Sequence, residues 1–256
     1  IELNGAAAGG GVDGLRISAG PSTVRGLVIN RFLDEGIELR EESGGGNLVE
    51  CNYIGTDVSG TVDLGNDDGI AVRSPNNTIG GTTAAARNVI SGNDNGINIF
   101  MGASGSPNQN VIQGNFIGTN AAGTGDLGNT TDGISISESA GNTIGGTAAA
   151  ARNVISGNDD DGVELNGAAA TGNQVLGNFI GTDVTGTKAI ANTNLGGVLI
   201  YGGNGNHIGA PGAGNLISGN VKTMSMGWWD GGVGITVSSD DAVVIEGNLI
   251  GTDVTG

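Results

Sequence analysis

Acidic and amide side chains recur in this chain at places where they could hold a cation. Asp57, Asp183 and Asp253 stand third in the phrase Gly-Thr-Asp-x-x-Gly, and Asn120 takes the equivalent place in a fourth copy. Each loop would offer a side-chain oxygen to Ca2+, which takes six to eight oxygens from carboxylates, amides and backbone carbonyls. The same residues suit an Asx turn, in which the side chain accepts hydrogen bonds from its own loop. Both readings stay open. Asp67-Asp68, Asp159-Asp160-Asp161 and Asp240-Asp241 form the acidic clusters. The first two precede the Gly that opens an apolar triplet, the slot also held by Asp13, Glu35 and Asp132, so they read first as turn residues.

Catalytic signatures are sparse. A polysaccharide lyase needs a base, usually Arg or Lys, beside a charge-neutralising cation, to remove the proton next to a uronate carboxylate. Arg87 and Arg152 each precede Asn-Val-Ile-Ser and so read as scaffold. Cations outside the repeat include Arg31, Arg40, Arg73, Lys188 and Lys222, and none of these lies in a recognisable catalytic motif. A hydrolase would need two carboxylates at a fixed separation, which sequence cannot fix. His207 is the only histidine, which leaves a Ser-His-Asp arrangement without further support. Cys51 is the only cysteine, so no intramolecular disulfide can form, and it occupies a slot held elsewhere by Gly114, Gly177 and Gly247.

One segment, 221–230, departs from the repeat. It contains Lys222, Trp228, Trp229 and Asp230, with both tryptophans of the chain. Adjacent indole rings would stack on sugar faces or dock a neighbouring domain. Alternatively, the loop folds back over apolar surface. Lys222, Trp228, Trp229 and Asp230 are therefore the candidate glycan contacts, and Asp57, Asn120, Asp183 and Asp253 the candidate calcium ligands.

The elements that carry these residues come from the repeat. The phrase Gly-Asn-x-Ile-Gly-Thr places its isoleucines at 54, 117, 180 and 250, a period of 63 residues that lengthens to 70 at the last step. A second phrase is Gly followed by an alternating triplet, as in Ile37-Glu38-Leu39, Ile97-Asn98-Ile99 and Val163-Glu164-Leu165. The in-out-in pattern marks a short strand with one buried face. Asn-Thr-Ile-Gly-Gly and Asn-Val-Ile-Ser-Gly-Asn supply further strands. With Gly at 53 of 256 residues and no sustained helical period, the chain reads as all-β. Units this size, with two or three strands each, predict a parallel β-helix of about eight coils in a single domain over 1–256, with a loop insertion at 221–230. Asn52, Asn93, Asn115, Asn158, Asn178, Asn220 and Asn248 follow the apolar runs and are expected to stack as a ladder.

The formal charge of −17 disfavours nucleic acid and anionic membranes, and no apolar run approaches a membrane span. The chain begins inside one motif and stops inside another, so it reads as a piece of a longer protein whose open coil ends could associate end to end or laterally.

Asn-Thr-Ile-Gly-Gly-Thr, Arg-Asn-Val-Ile-Ser-Gly-Asn and Gly-Asn-Phe-Ile-Gly-Thr resemble the right-handed parallel β-helix repeats of large bacterial secreted or surface proteins. That superfamily includes pectate-lyase-like enzymes, phage tailspikes and adhesins. The resemblance covers the whole chain and implies an extracellular or cell-surface location. Fold does not carry activity with it. The leading expectation is a structural or adhesive rod that contacts glycans or other domains of its parent protein. The alternative is a polysaccharide-active enzyme, a lyase before a hydrolase. An enzyme should gather non-repeating charged residues with shifted pKa values on one outer face, whereas a rod should show only ladders.

Overall fold

The computed structural model of the chain describes residues 1–103, 105–194, 196–223, 234–238 and 242–256. Its strands, two to four residues each, stack into three parallel sheets. Sheet I has nine strands, running from Glu2–Asn4 through Val28–Asn30, Tyr53–Ile54, Val89–Ile90, Phe116–Ile117, Val154–Ile155, Phe179–Ile180 and Leu216–Ile217 to Leu249–Ile250. Sheet II has eight: Leu15–Ile17, Ile37–Leu39, Ile70–Val72, Ile97–Phe100, Ile134–Ser137, Val163–Asn166, Val198–Tyr201 and Ile235–Val237. Sheet III also has eight, from Thr23–Arg25 to Val244–Ile245. Each coil visits sheet II, then III, then I, and every strand pairs with its counterpart one coil away. The architecture is a right-handed parallel β-helix of eight coils, the handedness that parallel crossovers take. At ~4.8 Å per strand the coils rise about 40 Å.

The apolar triplets make this possible. Ile37, Ile70, Ile97 and Ile134 lie in register on sheet II, and Leu39, Val72, Ile99 and Ile136 form the next inward column. All eight are fully buried. A two- or three-residue strand cannot hold a core alone. Stacking gives each side chain neighbours above and below, and burial of each is worth roughly 1.5–3 kcal/mol.

Three asparagine ladders line the corners, rather than one. Asn47, Asn77, Asn110, Asn142, Asn173 and Asn206 form the first, at the entry to sheet III. Asn52, Asn88, Asn115, Asn153, Asn178, Asn215 and Asn248 form the second, at the entry to sheet I. Asn66, Asn93, Asn129, Asn158, Asn192 and Asn220 form the third, beyond sheet I. In each step a backbone N–H donates to the side-chain oxygen of the asparagine one coil on. The expected set thus mixed members of two ladders. Because nearly every one of these amides is fully buried, they serve the bends and not a binding surface.

The 63-residue period spans two coils. Its Gly-Thr-Asp loops lie over the outer face of sheet I and reach one another across the intervening coil: Ala121 N donates to the Gly60 carbonyl at 2.9 Å, and Val184 N to the Gly123 carbonyl at 2.8 Å. Gly123 must be glycine here. Its φ is +67°, and a Cβ would come within 2.8 Å of the Phe116 ring. Beneath the loops Phe116, Val154, Phe179 and Leu216 make a second apolar cluster. The repeat-equivalent arginines cap it: Arg87 lies 4.0 Å from the Phe116 ring and Arg152 4.0 Å from the Phe179 ring. Each also donates Nε to a glycine carbonyl, Gly114 or Gly177. This is the scaffold role expected of them. No helix among the described residues is long and apolar enough to cross a membrane.

Candidate functional site on the outer face of sheet II

The middle residue of each sheet II triplet points outward, and this column does not repeat. In coil order it reads Arg16, Glu38, Ala71, Asn98, Ser135, Glu164, Leu199 and Thr236. Two residues further on, Arg40, Arg73, Phe100, Ser137, Asn166 and Tyr201 form a parallel column in the later part of each strand or just beyond it. The strand entrances add Asp13, Glu35, Asp68, Asn95, Asp132 and Asp161. Turn chemistry places these entrance residues, as expected, but stacking then brings their side chains together.

The first coils carry a charged network. Glu38 is only 2% exposed although it points away from the core, because guanidinium groups cover it. Arg16 Nε lies 2.9 Å from its carboxylate, Arg40 Nη1 3.3 Å and Arg73 Nε 3.3 Å. Arg73 Nη2 also lies 3.4 Å from Glu35, and its guanidinium stacks 4.5 Å from the Phe100 ring. Burial pushes the Glu35 carboxyl up to about 8, and hydrogen bonds with Asp34 and Asp13 add to the shift. One coil on, Asp68 accepts from the side-chain amides of Asn95 and Asn98, each at 2.8 Å. Burial still raises its pKa, against those bonds.

Further along, the face turns acidic. Asp132, Asp160 and Asp161 each bring a carboxylate oxygen within 4.8 Å of the others. Asp132 accepts from the Asp161 backbone N–H at 3.0 Å, and the Ser135 hydroxyl donates to Glu164 at 3.0 Å. Burial pushes Asp161 up to about 9, with Asp132, Asp160 and Glu164 adding repulsion. Asp132 is likewise raised, by burial first and then by Glu164 and Asp160. Glu38 and Asp132 stand three strands apart, roughly 14 Å at ~4.8 Å per step. Glu35, raised to about 8 beside the Arg73 guanidinium, can exchange protons with an anionic ligand lying along the face.

The residues singled out by the repeat fall elsewhere. Asp57, Asn120, Asp183 and Asp253 sit one per loop over sheet I and are not brought together. Asp57 Oδ1 accepts from Thr61 N at 3.0 Å and Val62 N at 3.1 Å, and Asn120 Oδ1 accepts from Thr124 N at 3.1 Å. Asp183 makes the same closure through Thr187 N and Lys188 N, and Asp253 accepts from Thr255 N at 2.8 Å. Hydrogen bonding from the Ser59 hydroxyl, then from the Thr61 N–H, holds Asp57 down at about 2. Trp228, Trp229 and Asp230 lie outside the described residues. Lys222 follows sheet I's Leu216–Ile217 in the connection toward sheet II. His207 is exposed on sheet III, paired with Gln174 and Val244. An open cavity of about 380 Å³, lined by Arg152, Phe179, Val184 and Leu216 among others, lies beneath the loops of sheet I and has no acidic lining residue. The charged face has no signature among the repeated residues of the sequence. The signal was the non-repeating middle letter of each triplet.

No family model and no curated protein matches the sequence. Among solved structures, the chain is similar to a double mutant of the periplasmic alginate epimerase AlgG, with a TM-score of 0.53 and 16% identity over 89% of this chain and 45% of that one. It is also similar to the A-module of the mannuronan C-5 epimerase AlgE6 from Azotobacter vinelandii, with a TM-score of 0.53 and 17% identity over 90% of this chain and 58% of that one. The chain spans about half the length of the solved structures it matches. At such identities the likeness establishes the right-handed parallel β-helix fold.

Proposed function

We propose that the outer face of sheet II engages an acidic polysaccharide and acts on it by proton transfer next to a uronate carboxylate. The observation that carries this reading is the convergence of Glu35, Glu38, Arg40 and Arg73, then Asp132, Asp161 and Glu164, on one of three outer faces. Glu35, Asp132 and Asp161 occupy the recurring turn slot, whereas Glu38, Arg40, Arg73 and Glu164 stand at positions that the repeat leaves open. In this reading Arg40 and Arg73 neutralise the substrate carboxylate, which acidifies the neighbouring C–H, and Glu35, whose carboxyl burial raises to about 8, holds or takes the proton. Elimination would then make the chain a lyase, and reprotonation on the opposite side an epimerase. The similarity to epimerases named for alginate and mannuronan supports an acidic polysaccharide as the substrate class. The periplasmic relative likewise supports a periplasmic or extracellular location.

Lys222, Trp228, Trp229 and Asp230 belong to this proposal as sugar contacts. In chain order their segment lies between sheet I's Leu216–Ile217 and sheet II's Ile235–Val237.

A second reading, an adhesive rod that binds without turnover, is favoured by one observation: Arg16, Arg40 and Arg73 already have glutamate partners. Incubation with alginate and pectate, with and without Ca2+, separates the two. Unsaturated uronate absorbance or inverted C-5 stereochemistry by NMR supports the enzyme. Binding without either product leaves the rod, and neither binding nor turnover removes both.

A further inference from the structure

Capping the apolar cluster of sheet I does not use all the chemistry of Arg87 and Arg152. Each guanidinium is half-buried, stacked 4.0 Å from a phenylalanine ring and tied through Nε to a glycine carbonyl at 3.1 Å. Those contacts fix the plane of the fork and leave its Nη groups uncommitted. Among the described residues neither arginine forms an ion pair. Burial lowers the pKa of both, with no carboxylate to offset it. A partly buried charge without a counter-charge is costly, and a bound anion relieves that cost. On sheet II, by contrast, Arg16, Arg40 and Arg73 all have carboxylate partners.

Both arginines line one cleft. It is open, about 220 Å³ in volume, and bordered also by Thr83, Phe116, Val154 and Val184, with no acidic side chain in its lining. Arg87 precedes Val89–Ile90 and Arg152 precedes Val154–Ile155, strands two coils apart on sheet I. Because the two make the same contacts, their guanidinium groups are related by the same two-coil step, about 10 Å at ~4.8 Å per strand. The third copy of the phrase has Gly214 before Asn215-Leu216-Ile217, so the pair occurs once. Val184 stands at the side of the cleft, on a loop fixed by its N–H to the Gly123 carbonyl at 2.8 Å.

We infer that this cleft binds a small dicarboxylate, one carboxylate to each arginine. A planar fork with uncommitted Nη groups matches a carboxylate bidentately, which a lysine would not. With N–H···O contacts of about 2.8 Å at each end, forks about 10 Å apart are bridged by two anionic groups on one short chain. Phe116 and Val154 give its methylene carbons an apolar floor, and the exposed Thr83 supplies a hydroxyl donor at the rim. The volume leaves room for about seven water-sized groups at ~30 Å³ each, which suits a four-carbon acid better than a pair of sugar rings. The site lies on a different sheet from the charged face and stands independently of the polysaccharide reading.

The test is calorimetric titration of the full chain with succinate in low-salt buffer at pH 8, where screening is weak. Propionate, a monoanion, and digalacturonate, two linked uronates, are the comparison ligands. The expected result is one saturable succinate site per chain, with a Kd at least tenfold below that of propionate and below that of digalacturonate. It should weaken at least tenfold in Arg87→Gln and in Arg152→Gln, and stay unchanged in the sheet III control Arg25→Gln. Because both arginines also cap the apolar cluster, Val184→Glu supplies a second variant. It adds a carboxylate to the cleft from an exposed loop position and must weaken succinate by the same margin. No saturable binding by about 10 mM would overturn the proposal. So would equal affinity for propionate, a preference for digalacturonate, or succinate binding that is unchanged in the folded Val184→Glu variant.

Discussion

Asn115 offers the sharpest test of how the coils are held in register. Its side chain is fully buried in the ladder at the entry to sheet I. The Oδ1 atom accepts from Asn88 N at 3.3 Å and from Asn88 Nδ2 at 2.9 Å. Its Nδ2 donates to the Ile79 carbonyl at 2.9 Å and to Asn153 Oδ1 at 3.1 Å. Asn115→Ala leaves Asn153 Oδ1 served, because the Asn115 backbone N–H still donates to it at 2.9 Å. The Asn88 backbone N–H and one of the two Nδ2 N–H groups, however, lose their acceptor, while Nδ2 keeps its bond to the Val49 carbonyl at 2.9 Å. At ~1–3 kcal/mol for each orphaned buried donor, the loss is about 2–6 kcal/mol. Asn115→Asp separates geometry from volume. It keeps the acceptor but sets a carboxylate against the Ile79 carbonyl and Asn153 Oδ1. Its folded pKa must rise, so its stability is fully present below the ordinary Asp value and is lost as pH rises through the raised one. Urea unfolding followed by circular dichroism at pH 5 and pH 8 reads both effects. A loss below ~1 kcal/mol for Asn115→Ala, or no pH dependence for Asn115→Asp, would refute the ladder as a source of stability.

Two further outcomes follow from the backbone and the charged face. Cys51 stands at φ +59°, where Gly114, Gly177 and Gly247 adopt +71°, +68° and +71°. Cys51→Gly should therefore raise the unfolding free energy by about 0.5 kcal/mol and with it the urea midpoint, the left-handed strain relieved less the entropy that glycine loses; a lowered midpoint would contradict this. Glu35, with its carboxyl pushed up from 4.5 to about 8, contributes stability that is complete below pH ~4.5 and lost as pH rises through about 8. Thermal midpoints measured from pH 5 to pH 9 should fall in the wild type and fall less in Glu35→Gln; identical slopes would count against a buried, neutral Glu35.

Much of the fold is legible in the sequence because the core is written in short periodic words. Ile37-Glu38-Leu39 declares a strand with one buried face, and its copies stack in the order they are read. The Ala84–Ala86 and Ala149–Ala151 segments are single 3-10 turns, consistent with the absence of a sustained helical period. Several strands of sheet III have no repeated phrase to mark them. Thr23–Arg25, Leu48–Glu50 and Gln174–Leu176 share no phrase, since only their central Val must face the core. The charged face is hidden for a related reason. Glu38 and Glu164 each look like the outward letter of a strand, and only register brings arginines onto one and aspartates beside the other. Burial, which raises Asp161, depends on neighbours about 30 residues away in sequence and has no local signature.

The central claim, that sheet II's outer face is where the ligand binds, is tested most directly by affinity electrophoresis in gels containing alginate or pectate. Arg73→Gln removes a cation from the charged face, whereas Arg25→Gln removes one from sheet III, where Arg25 lies 3.2 Å from Glu50. Equal charge changes on different faces cancel any effect of net charge. The polysaccharide should retard the wild type and the Arg25→Gln variant alike, and Arg73→Gln at least several-fold less. Equal retardation of both variants, or a selective loss with Arg25→Gln, would contradict it.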